Sequence, residues 1–381
     1  MINHTICKTC LIDNISYKYT KFNTDGICEY CVNFEKNTKK ILDYNLKNSQ
    51  KFKHNLIKQL IISKNKNKVN YDCIIGVSGG VDSSYLVYYA VKKLNLRPIL
   101  YHVDTGWDSR IAVSNIEKIV DKYNLDLQTD VIDWNEIKDL TRSFLFAQVP
   151  YLETVQDHAI WASTFKFAKR SKIKNILTGG NLQTESYRSP LYMAYFAGDL
   201  TLINDIQKKF GTIELTKYPK LDILKYKILY KFVHSIKLHE PLNYINYNKE
   251  EAIKILSEEL DWESYGAKHH ESNATKFFLG YWNKYKFNHD TRKGQLSSLI
   301  AVKQISKENA LIELSKKIYN EENIKKDFKY IADKLDFTVD ELQKLFEGEN
   351  KYYYNYRSKS LILKLFTFLL KFFKKEDRNI K

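Results

Sequence analysis

Tyr71 to Lys93, YDCIIGVSGGVDSSYLVYYAVKK, reads as a buried strand, a glycine turn and a helix in direct succession. Ile74, Ile75 and Val77 form a short apolar run, Ser78-Gly79-Gly80 interrupts it, and Leu86, Val87, Ala90, Val91 and Leu94 then recur at helical spacing. The turn therefore falls at a helix N-terminus, where the first amides lack intrahelical partners and the dipole is positive, so an anion is its natural occupant. Gly79 and Gly80 allow close backbone approach to such an anion, Val81 opens the helix, and Ser78, Ser83 and Ser84 add hydroxyl donors. Asp82 is a carboxylate in an anion site, and its expected task is to hold a magnesium ion that bridges to phosphates. The GxxxxGK[ST] spacing is absent, which excludes a Walker loop.

Ser78-Gly79-Gly80-Val81-Asp82-Ser83 resembles the SGGxDS signature of the PP-loop ATP pyrophosphatases, which include GMP and NAD synthetases, argininosuccinate synthetase and tRNA-thiolating enzymes. The resemblance implies an α/β fold with a doubly wound, mostly parallel sheet. It also implies ATP held by its pyrophosphate along residues 78–84, Ser78 and Asp82 acting on the departing charge, and adenylylation of a carbonyl-type oxygen. The plainer alternative is a serine- and glycine-rich turn that only caps a helix; the strand, turn and helix in register weigh against it.

Downstream the β-α rhythm repeats. Arg97 to Asp104 reads as a second buried strand, Ile111 to Tyr123 as a helix, Leu127 to Ile132 as a third strand and Asn135 to Phe146 as another helix. Ligands sit at the carboxyl ends of strands in doubly wound sheets, so Asp104, with Thr105-Gly106-Trp107, is expected to face the nucleotide. A fourth strand, Lys174 to Thr178, ends in Gly179-Gly180-Asn181, which suggests another close backbone approach to the ligand. The resemblance places these three residues beside the nucleotide and a downstream acid, Glu185, near the adenylylated group. Glu185 and Arg188 have the alternative reading of a solvated surface pair.

At 381 residues the chain is long enough for two or three domains. Its formal charge of +16 is carried mostly by Lys, in a text equally rich in Asn, Ile and Tyr, a pattern that fits the codon bias of an AT-rich genome as well as a nucleic-acid partner. With no signal or stop-transfer run near Met1, the expected compartment is the reducing cytoplasm, where five cysteines are not a disulfide framework. Cys7-x2-Cys10 and Cys28-x2-Cys31 have zinc-ribbon spacing: two knuckles complete a tetrahedral site and leave no open position, so the expected metal is structural Zn²⁺. Redox chemistry is the rival reading of a CxxC. Cys73 reads as a buried small hydrophobe. The expected organisation is a zinc ribbon over 1–35, a helical connector over 36–70, a PP-loop domain over 71–235, a helical substrate or partner region over 236–350 and a basic amphipathic helix over 351–381.

Phe196 to Leu260 reads as helical and uninformative, apart from His239-Glu240-Pro241-Leu242 and Tyr244, a loop beside the site or a helix stop. Beyond it, Asp261-Trp262, Gly266-Ala267-Lys268-His269-His270-Glu271-Ser272 and Arg292-Lys293-Gly294-Gln295-Leu296-Ser297-Ser298-Leu299-Ile300 are dense in His, Lys, Glu and Arg. Adjacent histidines on a helix diverge by about 100°, so His269 and His270 suit polar contacts to a sugar or phosphate better than one metal. With the four cysteines, these stretches resemble the N-acetyl sugar amidotransferase family of surface-polysaccharide and LPS biosynthesis over most of residues 1–310. The departure is Gly294, where alanine is the family expectation.

That resemblance implies conversion of an acetamido into an acetamidino group, with Lys268, His269, His270, Glu271, Arg188, Arg292 and Lys293 as substrate contacts. It further implies ammonia from a separate glutaminase subunit, delivered through a cyclase-like partner. Residue 2 is Ile, so no N-terminal cysteine follows Met1, and a nucleic-acid substrate is not expected. The competing enzyme class is a tRNA thiolase; a non-catalytic nucleotide-binding scaffold is the third. Leu361 to Lys375, LILKLFTFLLKFFKK, is too short to span a bilayer, and reads as a helix lying at a membrane surface, on a partner or on its own domain.

Overall fold

The computed structural model describes residues 4–223, 226–265, 271–363 and 365. Helices α1 (Glu29–Asn33), α2 (Lys39–Lys47) and α3 (Ser49–Asn67) lead from the cysteine region into β1 (Cys73–Gly76). There follow α4 (Val81–Tyr88), β2 (Pro98–Asp104), α5 (Arg110–Tyr123), β3 (Leu127–Val131), α6 (Trp134–Phe146), α7 (Thr154–Arg170), β4 (Asn175–Leu177), α8 (Leu182–Glu185), α9 (Leu200–Phe210) and β5 (Lys237–His239). π-Helical turns at Phe34–Thr38, Tyr89–Lys93 and Tyr226–Val233 extend or join these elements, and every described element after β5 is a helix, so the C-terminal part is mostly helical.

The five strands form one parallel sheet in the order β3-β2-β1-β4-β5. Strand direction of travel reverses between β1 and β4, and in such sheets the crevice for a ligand opens at the carboxyl ends of the strands flanking that switch. The α/β doubly wound class expected from the glycine turn is therefore the class observed.

Both faces of the sheet are covered, and the alternation of strand side chains decides what lies on each. Ile74, Tyr101 and Val103 point into a core shared with Ile137, Leu140 and Phe144 of α6 and Val155, Ala159 and Phe165 of α7. Cys73, Ile75 and Leu100 point the other way, toward Leu86 and Val87 of α4, Ile116 and Ile119 of α5, Leu56 and Leu60 of α3, and Leu256 of the helix Lys249–Leu260. Phe328, Ile331, Leu335 and Leu342 of the last helices join the first of these cores, so the C-terminal helices and the sheet share apolar contacts. Among the described residues no helix is long and apolar enough to cross a membrane.

Two local readings need amendment. The second strand starts at Pro98 rather than Arg97, because the Arg97 amide is turned out of the ladder to donate to Asp72 Oδ2 at 2.7 Å. The stretch expected to be helical from Phe196 onward contains the edge strand β5; its three residues are exposed or half-buried and carry no apolar alternation that could announce them.

Candidate functional site

β1 delivers the chain to the glycine turn, and the turn is shaped by what packs beneath it. Gly79 has φ +72°, and a Cβ there would lie 2.2 Å from the Ala112 carbonyl oxygen in α5. Both conformation and space therefore demand glycine. Its own carbonyl accepts from Asn115 Nδ2 at 3.3 Å and Trp262 Nε1 at 3.1 Å, which fixes the orientation of the Gly79–Gly80 peptide. Asn115 is in turn held by both backbone groups of Glu263.

The donors of the turn are met weakly from within. Ser78 Oγ and Ser83 Oγ lie 3.3 Å apart, the Ser78 amide reaches Ser83 Oγ at 3.3 Å, and the Gly80 amide reaches Ser78 Oγ at 3.3 Å. The Val81 amide, first in α4, donates to Tyr265 Oη at 3.0 Å. Burial, followed by the charge of neighbouring Glu271, drives the Tyr265 phenol well above its ordinary pKa, so it stays protonated. Ser84 is buried, and its hydroxyl has no partner among the described residues, unlike the pair Ser78 and Ser83.

Asp82 sits in the first turn of α4. Its Oδ1 accepts from Tyr247 Oη at 2.5 Å and from Asn181 Nδ2 at 3.4 Å. Asn181 is fully buried, and its side-chain oxygen caps α8 by accepting from the Thr184 amide at 2.9 Å. Gly179 brings the end of β4 against this turn: a Cβ on it would come within 2.8 Å of the Asp82 carbonyl carbon. The Gly180 amide turns back on Thr178 Oγ1 at 3.4 Å. The structure thus gathers Ser78, Gly79, Gly80, Val81, Asp82, Ser83, Gly179 and Asn181 around one helix N-terminus.

Asp104 ends β2 and accepts from the Gly106 amide at 2.6 Å. Beside it lies His102, with Nδ1 2.9 Å from the Val77 carbonyl and Nε2 3.0 Å from Asp108 Oδ2. Two acceptors facing two ring nitrogens require both to carry protons. Burial lowers the His102 pKa, but the Asp108 carboxylate, the Val77 carbonyl and the Asp104 charge together outweigh it, so the net direction is upward.

Glu271 is tied to the same region through its backbone. Its carbonyl accepts from the Ser109 amide at 2.8 Å, and Ser272 bridges to Asp108. Its Oε1 lies 3.1 Å from where a Cβ on Gly80 would stand, so this carboxylate abuts the glycine turn. Lys268, His269 and His270 lie outside the described residues. Burial lowers the pKa of Arg188, and the charges of Glu185 and Glu240 oppose that shift.

Arg292 and Lys293 are each engaged by an acid. Arg292 forms a bidentate pair with Asp290 at 3.0 and 2.7 Å and donates to the Lys316 carbonyl at 2.9 Å. Lys293 pairs with buried Asp13. Among the described residues neither contacts the glycine turn. The helix Arg292–Ala301 packs on the cysteine module through Lys293, Gly294, Ser297 and Ala301.

In that module Cys7, Cys10, Cys28 and Cys31 are all buried, with their sulfurs within 4.8 Å of one another. Cys10 and Cys28 sulfurs are 3.6 Å apart and Cys7 and Cys31 sulfurs 3.8 Å. A tetrahedral ion with bonds of about 2.3 Å needs sulfurs about 3.8 Å apart, so the cluster fits a single metal ion. The Cys28 and Ile12 amides and the Thr9 and Tyr187 hydroxyls donate to these sulfurs at 3.1 to 3.4 Å, the support thiolates need.

The module is fixed to the body by Leu11 N to Ser297 Oγ at 3.1 Å, by Lys307 Nζ on the Cys7 carbonyl at 2.9 Å, and by His289 Nδ1 on the Ser16 carbonyl at 2.6 Å. Gly294 explains itself here: a Cβ would stand 2.3 Å from Tyr17 Oη and 2.5 Å from the Tyr187 carbonyl, so alanine does not fit this packing.

The sequence reading did not single out Tyr247, Tyr265, Asn115, His102 or Asp108 as site residues. Trp262 stood inside a stretch marked for its polar density. The others are single residues on separate elements, with no local spacing to mark them.

Residues 271–370 match the family model described as "LPS biosynthesis protein WbpG-like, C-terminal domain". An uncharacterised protein of Methanocaldococcus jannaschii is 27% identical over 124 residues, 29% of this chain and 44% of its own length. The chain thus spans less than half of that curated relative. Among solved structures, the NMN synthetase of Francisella tularensis aligns at TM-score 0.29 and 12% identity over 58% of this chain and 95% of the other. The U34-tRNA thiolase NcsA of Methanococcus maripaludis, solved with its [4Fe-4S] cluster, aligns at TM-score 0.33 and 15% identity over 80% and 88%.

Proposed function

We propose that this protein is an ATP-dependent amidotransferase, forming AMP and pyrophosphate, that converts the acetamido group of an N-acetyl sugar into an acetamidino group for surface-polysaccharide biosynthesis. The observation that carries the reading is Glu271. It is the first residue of the segment matching an LPS-biosynthesis domain, and its carboxylate abuts Gly80 in the SGGxDS turn. The polysaccharide-related segment and the candidate nucleotide turn thus meet at one place.

The chemistry follows from how poor a leaving group an amide oxygen is. In the proposed reaction the acetamido oxygen attacks the α-phosphorus of ATP, the α–β phosphoanhydride bond breaks, and pyrophosphate departs. Ammonia adds to the imidate carbon and AMP leaves with the former acetamido oxygen, so an amidine remains. The amides of Gly80 and Val81 and the hydroxyls of Ser78 and Ser83 are the donors for the departing charge. Asp82, a hard oxygen ligand beside that turn, would hold Mg²⁺, whose role is to neutralise the phosphates. Glu185 and Arg188 are proposed to face the sugar.

The four cysteines are assigned to structural Zn²⁺. Ammonia is assigned to a separate glutaminase acting with a cyclase-like subunit, and the segment from Leu361 onward to peripheral contact at the cytoplasmic face of the inner membrane. Leu361, Ile362 and Leu365 are exposed by 79, 52 and 59%.

A tRNA thiolase remains the second reading, supported by the +16 charge. Sulfur transfer calls for cysteines near the nucleotide. The fifth cysteine, Cys73, is fully buried in β1, where burial pushes its thiol pKa up and keeps it protonated. The deciding experiment incubates the protein with ATP, magnesium, ammonium and a panel of N-acetyl sugars, free and nucleotide-linked, and reads pyrophosphate and product mass. A sugar lighter by the difference between an oxygen and an NH group supports the amidotransferase. Thiolated tRNA with no altered sugar overturns it.

A further inference from the structure

Tyr247 is almost wholly buried at 1% exposure, yet its hydroxyl ends 2.5 Å from Asp82 Oδ1. A carboxylate can only accept, so the phenol donates, and burial together with the Asp82 charge raises the Tyr247 pKa and keeps the proton in place. The ring has little freedom to move. Tyr85 of α4 packs against it with centroids 5.3 Å apart, and its carbonyl accepts from Gln304 Nε2 at 2.7 Å. Its approach is fixed as well: after β5, Pro241 starts a tight turn whose Ile245 carbonyl is held by Gln183 Nε2 at 3.0 Å.

We infer that Tyr247 is the positioning residue for Asp82: a rigid phenol from beyond the sheet edge that, with Asn181, holds one carboxylate oxygen and so sets the direction in which Asp82 presents itself to a divalent cation. The inference rests on the proposed function, in which Asp82 is the metal-holding carboxylate. The same contact has a merely structural explanation, that Asp82 satisfies a buried hydroxyl, and the two make different predictions. A strut for the carboxylate governs cation affinity. A satisfied phenol governs only stability.

The test measures Mn²⁺ binding by electron paramagnetic resonance, with α,β-methylene-ATP as the uncleavable nucleotide, in the full-length wild type, Asp82→Asn, Tyr247→Phe and Gln304→Leu. Melting temperature is read alongside. A hydrogen bond to a charged group is worth enough that Tyr247→Phe should weaken Mn²⁺ by roughly tenfold or more. Excess metal should restore occupancy in Tyr247→Phe but not in Asp82→Asn. Gln304→Leu, which slackens the backbone and leaves the hydroxyl, should shift affinity the same way by less, and it serves if Tyr247→Phe does not fold.

Loss of affinity in Asp82→Asn with wild-type affinity in Tyr247→Phe and Gln304→Leu overturns the inference alone. A lower melting temperature with unchanged Mn²⁺ binding does the same in favour of the structural explanation. Absence of nucleotide-dependent Mn²⁺ binding in the wild type, or equal binding in Asp82→Asn, overturns the proposed role of Asp82 and the inference with it.

Discussion

In the cysteine module and in the glycine turn alike, backbone amides and hydroxyls converge on a centre, but they are satisfied in opposite ways. Around the cysteines the donors end on sulfur: Cys28 N at 3.2 Å, Thr9 Oγ1 at 3.1 Å, Tyr187 Oη at 3.2 Å. Around the glycines the Ser78 and Gly80 amides end on serine hydroxyls at 3.3 Å, at the long edge of hydrogen bonding, the Ser83 hydroxyl ends on the Gly80 carbonyl at 3.1 Å, and the Val81 amide ends on Tyr265. The first arrangement is complete once a metal is present. The second is provisional, since a phosphate oxygen is a far better acceptor than a serine hydroxyl. On the proposed roles, the structural site closes on itself, whereas the reactive one keeps contacts it can exchange cheaply.

The sharpest way to break that contrast is to open the closed site. Structural zinc contributes about 10 kcal/mol or more to folding of small modules, so, with zinc held by the four cysteines as proposed, Cys28→Ser should cost the N-terminal region its metal and its fold. Metal analysis and proteolysis of the first 47 residues measure this; a protein still holding one metal ion with a resistant N-terminus contradicts it. Next in size is the provisional site. Asp82→Asn should leave melting nearly unchanged and reduce pyrophosphate release by about a thousandfold, near 4 kcal/mol in the transition state. Turnover within a few-fold of wild type would remove the reactive half of the comparison.

A smaller effect comes from His289, which is buried against the module. Burial lowers its pKa to about 4 from an ordinary 6.5, so Nδ1 donates to Ser16 O while neutral Nε2 accepts from Ser189 Oγ at 2.9 Å. Above pH 6.5 neither the folded nor the unfolded chain protonates it, and its contribution to stability is complete. As pH falls from 6.5 toward about 4 the unfolded chain takes up a proton that the folded one refuses, and stability falls by about 3 kcal/mol. Urea unfolding across that window should show a slope that His289→Asn flattens. Identical slopes would place the acid sensitivity elsewhere.

Smallest is Gly294→Ala. Its Cβ would press on Tyr17 and Tyr187, and overpacking of this kind costs about 2 kcal/mol. The variant should melt earlier through the module while nucleotide-dependent Mn²⁺ binding at Asp82 is kept. A simultaneous loss of both would show that the two regions are not separable.

The same contrast explains what could be read in the chain beforehand. Cys7, Cys10, Cys28 and Cys31 are close in sequence, and Ser78 to Ser83 is one unbroken string, so both centres were legible from spacing. Their supports were not. Tyr247, Tyr265 and Asn115 reach the turn and the start of α4 from three separate stretches of chain, and a lone tyrosine or asparagine carries no periodic signal that separates a strut from a core residue. Arg292 and Lys293 show the same limit: a basic pair looks alike in a substrate pocket and in a clamp, and its partners in the fold, Asp290 and Asp13, are far from it in sequence or not marked by spacing. The edge strand β5 escaped because its three residues are too few and too exposed to alternate.

Tyr187 has a practical consequence. Its hydroxyl touches Cys31, its amide is held by Ser298, and its ring shares a cluster with Leu182, Ala301 and Val302. A chain trimmed of its first 47 residues would uncover those apolar groups, and one of them, Leu182, directly follows Asn181. Chelators and N-terminal truncations should therefore be judged by solubility as much as by activity, because an exposed seam of this sort favours association between molecules before any chemistry can be assayed.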